Sequence, residues 1–96
     1  MLEIINFIED LFPKEWLSKL YLDENEGSIE ISHPNDKETY LSVCALSDVI
    51  GVALLLEEDR SIELDLSGFD YTFSIGEIDR AKDFFKIYLE KGNVCI

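Results

Sequence analysis

Between Leu2 and Phe12, apolar side chains fall at Ile4, Ile5, Ile8, Leu11 and Phe12, and polar ones at Glu3, Asn6, Glu9 and Asp10. A helix of 3.6-residue period places these two sets on opposite sides. Pro13 interrupts the pattern. Because proline suits a helix's first turn, residues 14–21 are expected to form a second, short helix with Trp16, Leu17, Leu20 and Tyr21 inward. The run Asp23-Glu24-Asn25-Glu26-Gly27 is a polar turn.

From Ser28 the period becomes two. Residues 28–32 alternate cleanly, and His33-Pro34-Asn35-Asp36 turns the chain. Residues 40–46 and 49–57 are apolar enough to be strands. The second is so continuously apolar that it suits a central strand covered on both faces, although periodicity alone does not separate this from a buried helix. Glu58-Asp59-Arg60 is expected to be a hairpin loop. A strand over 61–66 would follow, with Ile62, Leu64 and Leu66 inward and Glu63 and Asp65 outward. After Ser67-Gly68, Phe69, Tyr71 and Phe73 are expected to make an inward row, with Asp70 and Thr72 outward.

The last element is the clearest. Ser74-Ile75-Gly76-Glu77 fits a capping box, in which a serine and a glutamate three residues on satisfy free backbone donors at a helix start. Ile78, Ala81, Phe84, Phe85, Tyr88 and Leu89 follow at helical spacing. Acidic residues lie early and lysines late, as the helix dipole favours, and Gly92 ends the run. The expected fold is α+β over a single domain, 1–96. It comprises an N-terminal helix or helices, an antiparallel sheet of about four to five strands, and a C-terminal helix packed on one face, with the other face partly open.

Composition narrows the function. Hydrophobic residues make up 47% of the 96, enough for a core. The chain carries 21 acidic against 8 basic residues, a formal charge of −13. That balance argues against binding nucleic acid through a basic face, and against electrostatic attachment to anionic lipid. The excess is unevenly placed. Residues 23–70 hold thirteen carboxylates against Lys37 and Arg60, a net −11, whereas the terminal helix is balanced. Adjacent carboxylates repel one another, so the β region keeps them at a cost in stability. Glu57, Glu58 and Asp59 cluster at a connecting loop, Glu63 and Asp65 are outward neighbours on one strand, and Asp70 and Thr72 face outward on the next. Together these seven are the expected partner-binding patch, able to steer encounter with a cationic protein. Tyr40 or Tyr71, if outward, would add an anchor.

Catalytic and metal-binding patterns are missing. There is no CxxC, HExxH, Gly-rich phosphate loop or GxSxG. Counted from Asp23, an EF-hand loop would need glycine sixth and glutamate twelfth, but Ser28 and Pro34 stand there. His33, the one histidine, is expected to be an exposed turn residue, and its spacing from Cys44 does not suggest a catalytic pair. Outward Glu63 and Asp65 have no cleft to raise a carboxyl pKa. Cys44 is expected to be a buried, reduced thiol. Cys95 is not placed for prenylation, and Trp16 is expected in the core with a partner for its N–H. The N-terminus lacks the basic start and uncharged centre of a signal peptide, and the apolar stretch 49–56 is too short to span a bilayer. These features lead to the expectation of a cytoplasmic, non-enzymatic protein without cofactor or metal.

In size, acidity and helix–sheet–helix order the chain resembles the small immunity proteins that bacteria make in contact-dependent inhibition and related polymorphic toxin systems. The resemblance is one of style over the whole chain and carries no family residue. It implies binding and neutralisation of a cognate toxin domain, with carboxylates meeting the lysines and arginines that grip nucleic acid. Two other readings stand beside it. One is a DNA-mimic inhibitor of the anti-restriction or anti-CRISPR type, whose carboxylates would lie along an extended ridge instead of around an apolar centre. The other is an accessory subunit, or a homodimer joined through a sheet edge or the open sheet face. The expected state is a monomer or weak homodimer without direct nucleic-acid or membrane contact.

Overall fold

The computed structural model describes residues 2–59 and 68–92. Helix α1 spans Glu3–Leu11 and α2 spans Ile78–Lys91. Between them run β1 (Leu17–Leu22), β2 (Gly27–Ile31), β3 (Thr39–Ala45), β4 (Val49–Leu56) and β5 (Tyr71–Ser74). All neighbours are antiparallel and the sheet order is β1-β2-β3-β4-β5, a meander. The fold is therefore α+β as expected.

The core lies between the two helices and one sheet face. Alternation puts Ile29 and Ile31 of β2, Leu41, Val43 and Ala45 of β3, and Ile50 and Val52 of β4 on that face. Ile4, Ile5 and Ile8 of α1 and Ala81, Phe84, Phe85 and Tyr88 of α2 meet them. Each of these side chains is almost wholly withdrawn from water, which is the main force holding the fold. The helices also meet each other: Lys82 Nζ stands 3.7 Å from Glu3 Oε2 and 5.6 Å from the centre of the Phe7 ring. Helix α2 starts through a 3-10 turn, Ile75–Glu77, where Glu77 Oε1 accepts from the Ser74 N–H at 3.1 Å. This is the glutamate half of the expected capping box.

Three local expectations are corrected. The second helix does not form. A single 3-10 turn, Lys14–Trp16, is followed directly by the edge strand β1. The cause is a bulge. Lys19 takes a left-handed backbone (φ 51), and the pairing slips between Ser18 and Tyr21. One extra residue stretches the Leu17–Leu20 spacing from two to three, so a strand imitates a helical period. Leu20 and Tyr21 are consequently exposed, not core.

The second correction concerns Phe69. It is not in one row with Tyr71 and Phe73, because Asp70 bends the chain before β5 begins. Tyr71 and Phe73 pack on Phe84 of α2. Phe69 instead lies over Gly51 on the far face, so closely that a Cβ there would meet its ring at 2.4 Å. That face is less open than expected: Tyr40 and Ala53, which share it with Gly51 and Cys44, are 4% and 2% exposed. The expected strand over 61–66 lies outside the described residues.

The third is His33, which is 4% exposed instead of solvated. Its Nδ1 accepts from the Asn35 N–H at 3.0 Å, so its Nε2 carries the proton and donates to the Leu89 carbonyl at 2.9 Å. The ring thereby ties the β2–β3 loop to the last turn of α2. Gly92 closes that helix with a left-handed backbone (φ 72), its N–H donating to Tyr88 O at 2.8 Å, and a Cβ there would come within 2.8 Å of the His33 ring. Gly92→Ala combines the steric cost of a left-handed alanine, about 1–2 kcal/mol, with that clash. The expected outcome is a fall in unfolding free energy of at least that size by urea denaturation, with the β2–β3 loop displaced.

Candidate functional site

Strand pairing decides which acidic side chains meet. The β3–β4 hairpin pairs Thr39 with Leu56, and one step further the Glu57 N–H donates to Glu38 O at 2.8 Å. The loop before β3 is thus set against the 3-10 turn Glu57–Asp59 that follows β4. On the other side, the Ser32 N–H donates to Trp16 O at 2.8 Å and brings the 3-10 turn Lys14–Trp16 alongside. At this end of the sheet two adjoining clefts open. One, of about 390 Å³, is lined by Glu15, Trp16, Ser32, His33, Asp36 and Glu57, among others. The other, of about 460 Å³, is lined by Lys37, Glu38, Leu56, Glu57 and Glu58. They share Lys37 and Glu57.

The wall beneath the first of them is aromatic. Phe12, Trp16, His33 and Tyr88 form a closed circuit, with ring centres 6.1 Å apart from Phe12 to Trp16, 4.5 Å from Trp16 to His33, 5.5 Å from His33 to Tyr88 and 6.1 Å from Tyr88 to Phe12. Trp16 is therefore only partly core, with its other side at the cleft. The Tyr88 hydroxyl is buried without a well-formed hydrogen bond among the described residues, although the backbone N–H of His33 lies near enough to favour its ionised form slightly. Burial first, and then the negative charges of Asp36 and Glu57, push its pKa up to about 12, so the phenol stays protonated.

Asp36 is held by its neighbours. Its Oδ1 accepts from the Glu38 N–H at 3.1 Å and the Thr39 N–H at 3.2 Å, and its Oδ2 accepts from the Thr39 hydroxyl. The Thr39 hydroxyl, helped by the two backbone donors and opposed by partial burial, holds its carboxyl below the usual aspartate range. Glu57 Oε1 accepts from the Ser32 hydroxyl at 3.3 Å. Glu38 and Glu58 are exposed.

The expected patch is only partly assembled. Glu57 and Glu58 stand at the clefts. Asp70 does not join them: its Oδ2 accepts the Leu54 N–H at 2.7 Å, and its own N–H donates to Val52 O, so it fastens β5 to β4. Thr72 pairs with Gly51 and is exposed on the far face, two residues beyond Asp70. Glu63, Asp65 and the side chain of Asp59 lie outside the described residues. Glu15, Asp36 and Glu38 were not expected at the site. Counting outward from the Ser47-Asp48 turn would have placed Glu38 opposite Glu57.

A second acidic group stands at the other end of the sheet, where the β1–β2 turn presents exposed Asp23, Glu24 and Glu26. Among the described residues, no group of three His, Cys, Asp or Glu is arranged to hold a metal ion. Cys44 is half-buried on the far face, away from His33, and burial raises its thiol pKa, which works against a reactive thiolate. No helix among the described residues is long and apolar enough to cross a membrane. Compared with protein-family models, with curated proteins and with solved structures, the chain matches none.

A carboxyl whose pKa is depressed by folding contributes stability that is complete above the unfolded-state pKa and is lost as pH falls through the folded-state pKa. Thr39→Val removes the main cause of that depression at Asp36. Its pKa should rise towards the ordinary range, so the variant is less stable at neutral pH and the further loss of stability that Asp36 causes on acidification becomes smaller. Carbon-13 NMR titration of the Asp36 carboxyl checks this; an unmoved titration would show that the hydroxyl is not the cause.

Proposed function

We propose that this protein is a non-enzymatic inhibitor that binds another protein, of the immunity-protein kind, and neutralises a basic, nuclease-type toxin domain through its acidic surface. The observation that supports this reading best is the gathering of Glu15, Asp36 and Glu57 around a cleft lined by Trp16 and His33, with Glu38 and Glu58 at the adjoining cleft. A tryptophan face beside carboxylates suits an arginine or lysine side chain, which gains both charge pairing and attraction to the ring. Carboxylates grouped about an aromatic surface also favour a protein partner over mimicry of a phosphate ridge.

The excess charge adds rate. A net −13 carried largely by one region draws a cationic partner in from a distance, and the fixed clefts then select the orientation. A basic partner of this kind works by gripping polyanions, so covering its cationic surface would block it without chemistry in the inhibitor.

The test is affinity capture from native lysate over a salt series, with the wild type beside Glu38→Lys/Glu58→Lys. Neither carboxylate accepts a hydrogen bond within the described fold, so the double variant should fold. The expected result is one basic protein retained stoichiometrically by the wild type. The variant should bind it at least about tenfold more weakly, with a flatter salt dependence. Equal retention by both would refute the placement of the interface at the clefts, and the absence of any basic partner would count against the inhibitor reading itself.

A further inference from the structure

Strand β1 is an edge of the sheet, and its outer side is unusually apolar. Leu20, Tyr21 and Leu22 are 47%, 59% and 51% exposed. They straddle the strand: Leu22 pairs with Gly27 on the helix-bearing face, Leu20 shares that face by alternation, and Tyr21 pairs with Ser28 on the other. The Asp23 N–H bonds to Glu26 O, so the 23–26 pair is the hydrogen-bonded kind and the 22–27 pair is not. The N–H and C=O of Leu22 therefore point away from β2, into solvent. By the same alternation so do those of Leu20.

The sequence along this edge is Lys19-Leu20-Tyr21-Leu22-Asp23, which is its own charge complement when reversed. Placed antiparallel to itself about Tyr21, it sets Leu20 opposite Leu22 of a second copy and Tyr21 opposite the other Tyr21. Each Lys19 then faces the other copy's Asp23. The outward backbone groups of Leu20 and Leu22 become mutual hydrogen-bond partners across the axis. Tyr21 falls at the closely spaced, non-bonded position where cross-strand side chains touch most. Among the described residues, Lys19 has only a distant ion pair, 4.0 Å to Glu30, with its side chain 63% exposed, and the Asp23 side chain accepts only from the adjacent Glu24 N–H.

We propose that β1 pairs antiparallel with β1 of a second copy of this chain, joining the two sheets edge to edge about a two-fold axis. The interface is isologous, as two-fold dimers require, and it covers an edge that would otherwise invite uncontrolled strand addition. It is small, and the −13 charge of each copy opposes it, so the dimer is concentration-dependent. At about 150 mM salt that long-range repulsion is largely screened, whereas the cross-strand contacts are shorter than the screening length. The clefts at the other end of the sheet remain open, so this inference does not depend on the inhibitor reading.

The experiment is sedimentation equilibrium across a concentration series at that salt, on the wild type, Lys19→Asp, Asp23→Lys, and an equimolar mixture of the two variants. The expected wild-type mass rises from 11.0 kDa towards twice that value. Each single variant opposes like charges at both ends of the paired strands and stays at one chain mass. The mixture restores both ion pairs and rises as the wild type does, which also shows that the variants are folded. A wild type that keeps one chain mass throughout, single variants that self-associate as well as it does, or a mixture that stays monomeric would each overturn the proposal.

Discussion

The acidic end of this molecule depends on one imidazole. His33 accepts from the Asn35 N–H and donates to the Leu89 carbonyl, so both ring nitrogens are committed and the ring cannot turn. Through it the last turn of α2 positions the β2–β3 loop, and Trp16 lies against its face. The same ring explains why glycine stands at 92, where any side chain would strike it. A loop that would otherwise be mobile and polar becomes the fixed wall of a cleft.

That rigidity gives the acidic residues their meaning. Several carboxylates are held by the fold's own donors: Asp36 by two backbone N–H groups and a hydroxyl, Asp70 by the Leu54 N–H, Glu77 by the Ser74 N–H. Such bonds offset repulsion and account for part of the excess locally. They do not account for Glu38 and Glu58, which face water beside other carboxylates. Two like charges kept at the cleft that adjoins the Trp16–His33 cleft cost stability, and the proposed cationic partner would offset that cost. General solubility needs no such placement.

Most of the architecture could be read from the chain. The 3.6-residue period of α1 and α2, the alternation of β2, the continuous apolar run of β4 and the capping pattern before α2 all correspond to observed elements. What escaped the reading depends on single-residue geometry or on distant partners. The left-handed Lys19 converts a strand's period into a helix's, and the bend at Asp70 turns Phe69 to the other face. His33 is polar and sits beside a proline, and only the approach of α2, more than fifty residues later, buries it. Glu57 and Glu58 were recognisable as an acidic cluster. Their association with Asp36, Glu38 and Trp16 follows from the hairpin register and from β1, the element that was misread.

The proposed function requires that the Trp16–His33 cleft recognise a cation, which negative charge elsewhere on the surface would not do. Its most direct test is an NMR titration of the nitrogen-15-labelled protein with N-acetyl-arginine methylamide. The expected result is a saturable shift of the Trp16 indole N–H together with the backbone amides of Asn35–Glu38 and Glu57, well ahead of any change in the equally acidic Asp23–Glu26 turn. Shifts of similar size at both ends of the sheet, rising without saturation, would contradict it.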